Sequence, residues 1–378
     1  MTKHYDAIVL GAGAMGSAAA YHLARAGQKT LLLEQFELDH QKGSSYGHSR
    51  ITRYAYDDPA YVKLAQAAFP AWAQLEAEAG EKLYTRTGGL DFGPPDSTSV
   101  RATIDCLKQM QIPHEVWQAD EAMRHFPQFH LDDDTLVLFQ ADTGILSASR
   151  CVLAHLRLAE RHGAELRPNT PIVEIVPDAS GVTVKTVAET FSAARVVITA
   201  GGWARTVLAQ VGLNVPLYPE RCQEIYFETA QPEQYEAERF PAFIAHVGDV
   251  YGRHVYGIAS NHNSGLKVAL HGGQRVSHPS EINYEPTMQE IETVLRFTQR
   301  HLPDVTTLRS ARVCLYTMTP DEHFLIDKHP QFPHVVFGGG CSGHSFKFSP
   351  VIGGILADLA LRGTTAHDIS LFGVARFL

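Results

Sequence analysis

Residues 7–16, Ala-Ile-Val-Leu-Gly-Ala-Gly-Ala-Met-Gly, constrain the fold more than any other stretch of the chain. The apolar run at 7–10 reads as a buried parallel strand. It passes straight into G-x-G-x-x-G at Gly11, Gly13 and Gly16. An alanine-rich helical pattern follows at 17–26, and Gly27 is a fit stop for it. A second apolar run at 30–33 then ends at Glu34. In that setting Gly11 allows a tight turn, Gly13 lets backbone approach a pyrophosphate, and Gly16 lets the helix pack close to the strand. The helix N-terminus supplies N–H groups and a partial positive charge for phosphates. Glu34 can accept both ribose hydroxyls and would repel a 2′-phosphate. The stretch predicts a dinucleotide-binding unit; the plain alternative is a glycine-rich turn in another α/β protein.

Bulk properties narrow the class. The 378 residues suffice for two domains and a large core. A net charge of −9 argues against nucleic acid or an anionic membrane as the main partner. No apolar run approaches the ~18 residues of a membrane span, and the N-terminus leads directly into the first strand rather than into a signal peptide. Five scattered cysteines, Cys106, Cys151, Cys222, Cys314 and Cys341, exclude a cysteine zinc cluster and disfavour a disulfide scaffold. A cytoplasmic location is the expectation. The 20 histidines show no metal spacing, and no metal is assigned.

Along the chain, residues 40–53 form a polar, turn-rich stretch that carries Arg50 and Arg53. It is read either as a solvated loop or as one that crosses a cofactor and presents cations to an anion. Helices are expected at 61–80, 100–110, 121–126, 147–162, 281–302 and 345–362, and strands at 87–95, 173–175, 182–184, 195–200, 215–227, 250–256, 266–271 and 335–340. The double glycine after 195–200 is a second junction where backbone can meet a ligand. Nucleotide-type elements therefore stand at the start, middle and end of the chain. The expected architecture is α/β, in two domains. A discontinuous Rossmann-like cofactor domain takes 1–85, 150–215 and 322–378; a substrate domain on a mixed or antiparallel sheet takes 86–149 and 216–321.

Two C-terminal stretches carry chemistry: 311–324, around Cys314-Leu315-Tyr316 and Asp321-Glu322-His323-Phe324, and 338–350, around Ser342-Gly343-His344-Ser345-Phe346-Lys347. By themselves, Cys314 reads as a small buried hydrophobe and Lys347 as a surface lysine. The glycine run before the last helix suggests a backbone cradle.

Together these motifs resemble the monomeric sarcosine oxidase family, which includes N-methyltryptophan oxidase and shares the fold of the D-amino acid oxidases. The resemblance runs from 11–34 through the loop 43–50, Thr87-Gly88-Gly89, Ala200-Gly201-Gly202-Trp203 and Gly265-Leu266-Lys267 to the two C-terminal stretches. It implies one FAD per chain, held covalently through Cys314. It implies flavin contacts at Gly11, Gly13, Gly16, Glu34, Ser44, Arg50, Val173, Gly343, His344 and Lys347. It further implies that Lys267 promotes reaction with O₂, that Arg53 and Lys347 bind the substrate carboxylate, and that His271 and Tyr316 lie in the active site. Two departures stand out: Tyr46 where many relatives have histidine, and Ile244 where sarcosine oxidase has methionine.

What the resemblance implies is an FAD-dependent oxidase of secondary, N-methyl amino acids, a monomer acting on a small amino acid and O₂ and giving the primary amino acid, formaldehyde and hydrogen peroxide. The residue types suit this. Two cations can orient a carboxylate so that a C–H bond faces the flavin, and an ammonium can stabilise charge developing on oxygen. Rival readings keep the fold but change the substrate, to pipecolate or a fructosyl amino acid, or change the electron acceptor. A non-redox nucleotide-binding protein is the rival of another class, and 338–350 speaks against it.

Overall fold

The computed structural model describes residues 3–378. The fingerprint folds into strand β1 (Lys3–Leu10), helix α1 (Ala14–Arg25) and strand β2 (Thr30–Leu33). Ala7, Ile8 and Val9 are fully buried because β1 is central, paired in parallel with β2 on one side and with Thr190–Ile198 on the other. Glu165–Arg167 extends the sheet beyond β2, and Val335–Gly339 adds a parallel strand beside the second half of Thr190–Ile198. Antiparallel strands Ile172–Pro177, Val182–Thr186 and Leu325–Lys328 complete eight. The last long helix, Ser349–Arg362, packs on α1 so closely that a Cβ at Gly353 would lie 2.4 Å from that of Ala18.

A second sheet of nine strands is antiparallel except where Ala242–Ala245 runs parallel to Gly89–Gly93. At its heart Tyr218–Thr229 pairs with both Val305–Met318 and Leu266–Leu270. A three-stranded sheet joins Arg50–Thr52 and Tyr84–Arg86 to Gly144–Leu146. One core fills the space between the first sheet and its helices, and another lies against the nine-stranded sheet. No helix among the described residues is long and apolar enough to cross a membrane.

Several elements differ in their bounds from the expectations. The strand expected at 250–256 is instead a helical turn, Gly248–Tyr251, then Gly252 at φ +77°, and only then the strand Val255–Ile258. Part of the expected loop 40–53 pairs as the strand Arg50–Thr52. The helix expected from 281 starts at Met288, because Pro286 bars helical geometry at the residue before it. The one expected from 345 starts at Ser349, with Pro350 in its first turn. The expected helix at 61–80 is Pro59–Ala79; Asp58 caps it by accepting from Ala60 N, and Gly80 ends it in the left-handed region.

Candidate functional site

One cavity of about 690 Å³ is lined both by the fingerprint turn and by the two C-terminal stretches. At the turn, Gly11 has φ +104°, and a Cβ there would lie 2.5 Å from the Thr199 carbonyl oxygen. A Cβ on Gly16 would lie 1.8 Å from the Gly11 oxygen, so the helix can approach the strand only without one. Ser45, from the 43–50 loop, accepts from Ala14 N at 2.9 Å and so caps the first residue of α1 from a distance in sequence. Glu34 is buried at the end of β2. It accepts from Ala12 N at 2.8 Å and Phe36 N at 3.0 Å, which fixes its carboxylate toward the cavity.

Val173 is not brought to this cavity. The pairing of its strand slips between Ile172 and Glu174, so Val173 is the extra residue of a bulge and its side chain is 58% exposed. Thr170 and Ile172 line the cavity instead.

The nine-stranded sheet brings titratable side chains together. Alternate residues of a strand share a face, and directly opposed residues of antiparallel strands share it too. Register therefore gathers Glu224 opposite Arg312, Cys222 opposite Cys314, Glu220 opposite Tyr316 and Tyr226 opposite Lys267. Lys267 is 1% exposed, and its strand is paired on both sides rather than lying at an edge. Burial pulls its pKa down to about 8 against the opposing pull of Glu224, to which it donates at 2.5 Å. Glu224 is held well below the usual carboxylate range: burial opposes its charge, but Lys267, Arg50 and Arg312 outweigh burial. Arg312 also lies 4.9 Å over the Tyr46 ring, which gives the tyrosine at that position a partner.

Arg50 donates to the carbonyls of Ser44 and Tyr46 at 2.8 and 2.9 Å and pairs with Glu224 at 3.1 Å. Ser44 in turn donates to the Leu315 carbonyl, next to Cys314. Burial, with Glu224 second, pushes the Cys314 thiol up to about 12, although Arg50, Lys267 and Arg312 pull the other way.

Beyond these lies a second group. Arg53 donates to Asp91 at 2.5 Å, and His246 Nε2 lies 3.3 Å from the same oxygen. Lys347 is buried, not on the surface. Its Nζ donates to the Tyr56 hydroxyl and the His344 carbonyl, both at 2.8 Å. Burial and the neighbouring Arg53 put it well below the usual lysine range. His271, whose ring lies 5.7 Å from that of Tyr316, is brought down to about 4 by burial and by His254 and Lys347. Gly343, at φ +78°, passes so close to both that a Cβ would meet Tyr316 at 2.3 Å and His271 at 2.9 Å. His344 and Ile244 also line the cavity.

Glu224, Arg312, Asp91, His246 and Tyr56 were not among the residues expected from sequence. The available signal was a charged residue inside a strand otherwise buried, as at Glu224 and Asp91. Among the described residues no cluster of metal-ligating side chains is found.

The profile of the FAD dependent oxidoreductase family matches residues 6–359. Monomeric sarcosine oxidase of Streptomyces avermitilis is 40% identical, over all of this chain and 98% of its own length. N-methyl-L-tryptophan oxidase of Salmonella typhi is 33% identical, over 99% of each. Among solved structures, the Tyr258Phe mutant of NikD, described as an unusual amino acid oxidase essential for nikkomycin biosynthesis, is 25% identical with a TM-score of 0.90, over 98% of this chain and 97% of its own. Glycine oxidase of Geobacillus kaustophilus, at 20% identity, has a TM-score of 0.85 over the whole of both chains and shares the fold.

Proposed function

The chain belongs to the FAD-dependent oxidoreductase family, and from that membership we propose how its residues carry out the oxidation of N-methyl amino acids at a CH–NH bond. The observation that carries the proposal is the single cavity lined by Gly11, Glu34, Lys267, Cys314, Arg53 and Lys347. FAD fits the residues present. The fingerprint turn keeps its tight shape, with the helix N-terminus at the cavity, only because Gly11 and Gly16 lack side chains, and Glu34 offers a fixed carboxylate to ribose. Residues 1–85, 150–215 and 322–378 are assigned to holding the cofactor, with Ser44, Arg50, Gly343 and His344 among the contacts. The remainder is assigned to the substrate.

Bound in this cavity, FAD would supply an acceptor for a hydride equivalent and a donor of two electrons to O₂. The chain's part is to hold the substrate and to place charge. Arg53 uses one nitrogen on Asp91, and its remaining N–H groups are available to a carboxylate. Lys347, held by Tyr56, supplies the second donor, and a carboxylate beside it would offset the burial that disfavours its charge. A carboxylate gripped at two points presents the N-methyl carbon in a fixed direction. His271 and Tyr316 wall the chamber as neutral groups. Lys267 places an ammonium where charge develops on oxygen. Water then converts the imine to formaldehyde and the primary amino acid, so that R–NH–CH₃, O₂ and H₂O give R–NH₂, HCHO and H₂O₂. The enzyme is read as a cytoplasmic monomer.

A panel of N-methyl amino acids and cyclic imino acids, assayed for peroxide, tests the substrate class; activity on pipecolate alone would overturn it. Cys314 is proposed to carry the flavin covalently, one per chain. Acid-precipitated protein should stay yellow, and Cys314→Ala should release all of its flavin. Because the thiol is protonated near neutrality, attachment of FAD to the apoprotein should quicken about tenfold per pH unit on the way to alkaline pH. A rate independent of pH would place thiol ionisation outside the slow step.

A further inference from the structure

Glu224 sits among three cations. Its Oε1 accepts from Lys267 at 2.5 Å and pairs with Arg50 at 3.1 Å. Its Oε2 accepts from the Nε of Arg312 at 2.5 Å, from a second Arg312 nitrogen, and from the Tyr226 hydroxyl at 3.3 Å. The side chains of Glu224 and Lys267 are each 2% exposed. We propose that Glu224 is a positioning residue for the oxygen step, which keeps Lys267 in its ammonium form while Arg50 and Arg312, drawing on the same negative charge, limit how firmly it does so. The proposal rests on the reading of Lys267 as the oxygen-reactive cation and names what keeps that cation charged.

An ammonium taken out of water is disfavoured unless an anion stands beside it. The groups that face Lys267 from the neighbouring strands and the 43–50 loop leave one candidate. Tyr256 has its ring 5.5 Å away, Tyr226 is opposite in register, and His48 packs edge-on against Tyr226. Burial drives Tyr256, Tyr226 and Cys314 upward and His48 downward, so all four are neutral near pH 7. Arg50 and Arg312 repel the ammonium. Among the described residues Glu224 alone makes an ion pair with Lys267. One negative charge thus answers three positive ones, so removing either an arginine or the acid must move the Lys267 equilibrium, and in opposite directions.

The sign follows. Lys267 is charged below its pKa and neutral above it, so reoxidation by O₂ falls as pH rises through that value. In Glu224→Gln the midpoint should move to lower pH by about one unit or more. In Arg312→Gln it should move upward. Two measurements on the holoenzyme read this: the pH profile of reoxidation in the stopped flow, and an anaerobic pH titration of the oxidised flavin's absorption spectrum. Both midpoints should shift together, and the spectral transition should be absent from Lys267→Met. Should Glu224→Gln fail to fold, Arg312→Gln carries the test, because that site is nearer the surface. Midpoints unchanged in the folded variants, or moved in one direction by both, overturn the proposal. Reoxidation of Lys267→Met at the unmodified rate overturns instead the reading of Lys267 on which it rests.

Discussion

Glu224 and Asp91 are both buried carboxylates on the nine-stranded sheet, and each holds an arginine from the same few residues, Arg50 in one case and Arg53 in the other. They differ in what is left over. Both oxygens of Glu224 are taken by cations fixed in the protein. At Asp91, Arg53 and His246 converge on one oxygen, and among the described residues Arg53 makes no other hydrogen bond. A saturated carboxylate can set the field but cannot take part in binding. A carboxylate that occupies one nitrogen of a guanidinium steadies it and leaves the rest free for a ligand. In the proposed reaction the two sites would divide the work, one governing charge in the chamber and the other governing grip.

This contrast can be broken by substitution. Glu224→Ala should have the largest effect, because three buried cations lose their anion; a loss of about 3–5 kcal/mol in denaturant unfolding is expected. Asp91→Ala leaves a single guanidinium that can reach the cavity, and should cost about 1–3 kcal/mol. Equal losses would erase the distinction. Next is Lys347→Ala, which should weaken a carboxylate inhibitor by about 2–5 kcal/mol while flavin still binds; unchanged affinity would remove Lys347 from the grip. Smallest is Asp91→Asn. Asparagine can still accept from Arg53 but no longer repels a ligand carboxylate on the same guanidinium, so the inhibitor should bind up to about tenfold tighter. Weaker binding would mean that Asp91 matters for orientation more than for charge.

The fingerprint was legible because its logic is local: strand, turn, helix and acid follow one another within 7–34, and each glycine answers a neighbour the pattern implies. Glu224, Arg312 and Asp91 were not, because their meaning depends on register. Glu224 meets Lys267 43 residues on and Arg312 88 residues on, and Asp91 lies 38 residues from Arg53. No pattern within a strand says which residue will stand opposite. The orientation of Val173 was hidden for a related reason: one extra residue in a bulge turns a side chain to the other face. The strand expected at 250–256 starts only at Val255, and Val250 is 69% exposed at a helical turn. Lys347 read as a surface residue on composition, and is buried, with its carbonyl accepting from Trp72 and its Nζ donating to Tyr56.

The first and last parts of the chain finish one another. The carbonyl of Leu10 accepts from Thr199, 189 residues later, and α1 is covered by Ser349–Arg362. During synthesis the fingerprint therefore emerges well before the strand and helix that complete it. Contacts of such long sequence separation are costly to close and make for slow folding. A chain truncated before residue 349 would lack the helix that packs on α1, and should emerge without its cofactor however intact its N-terminal motif.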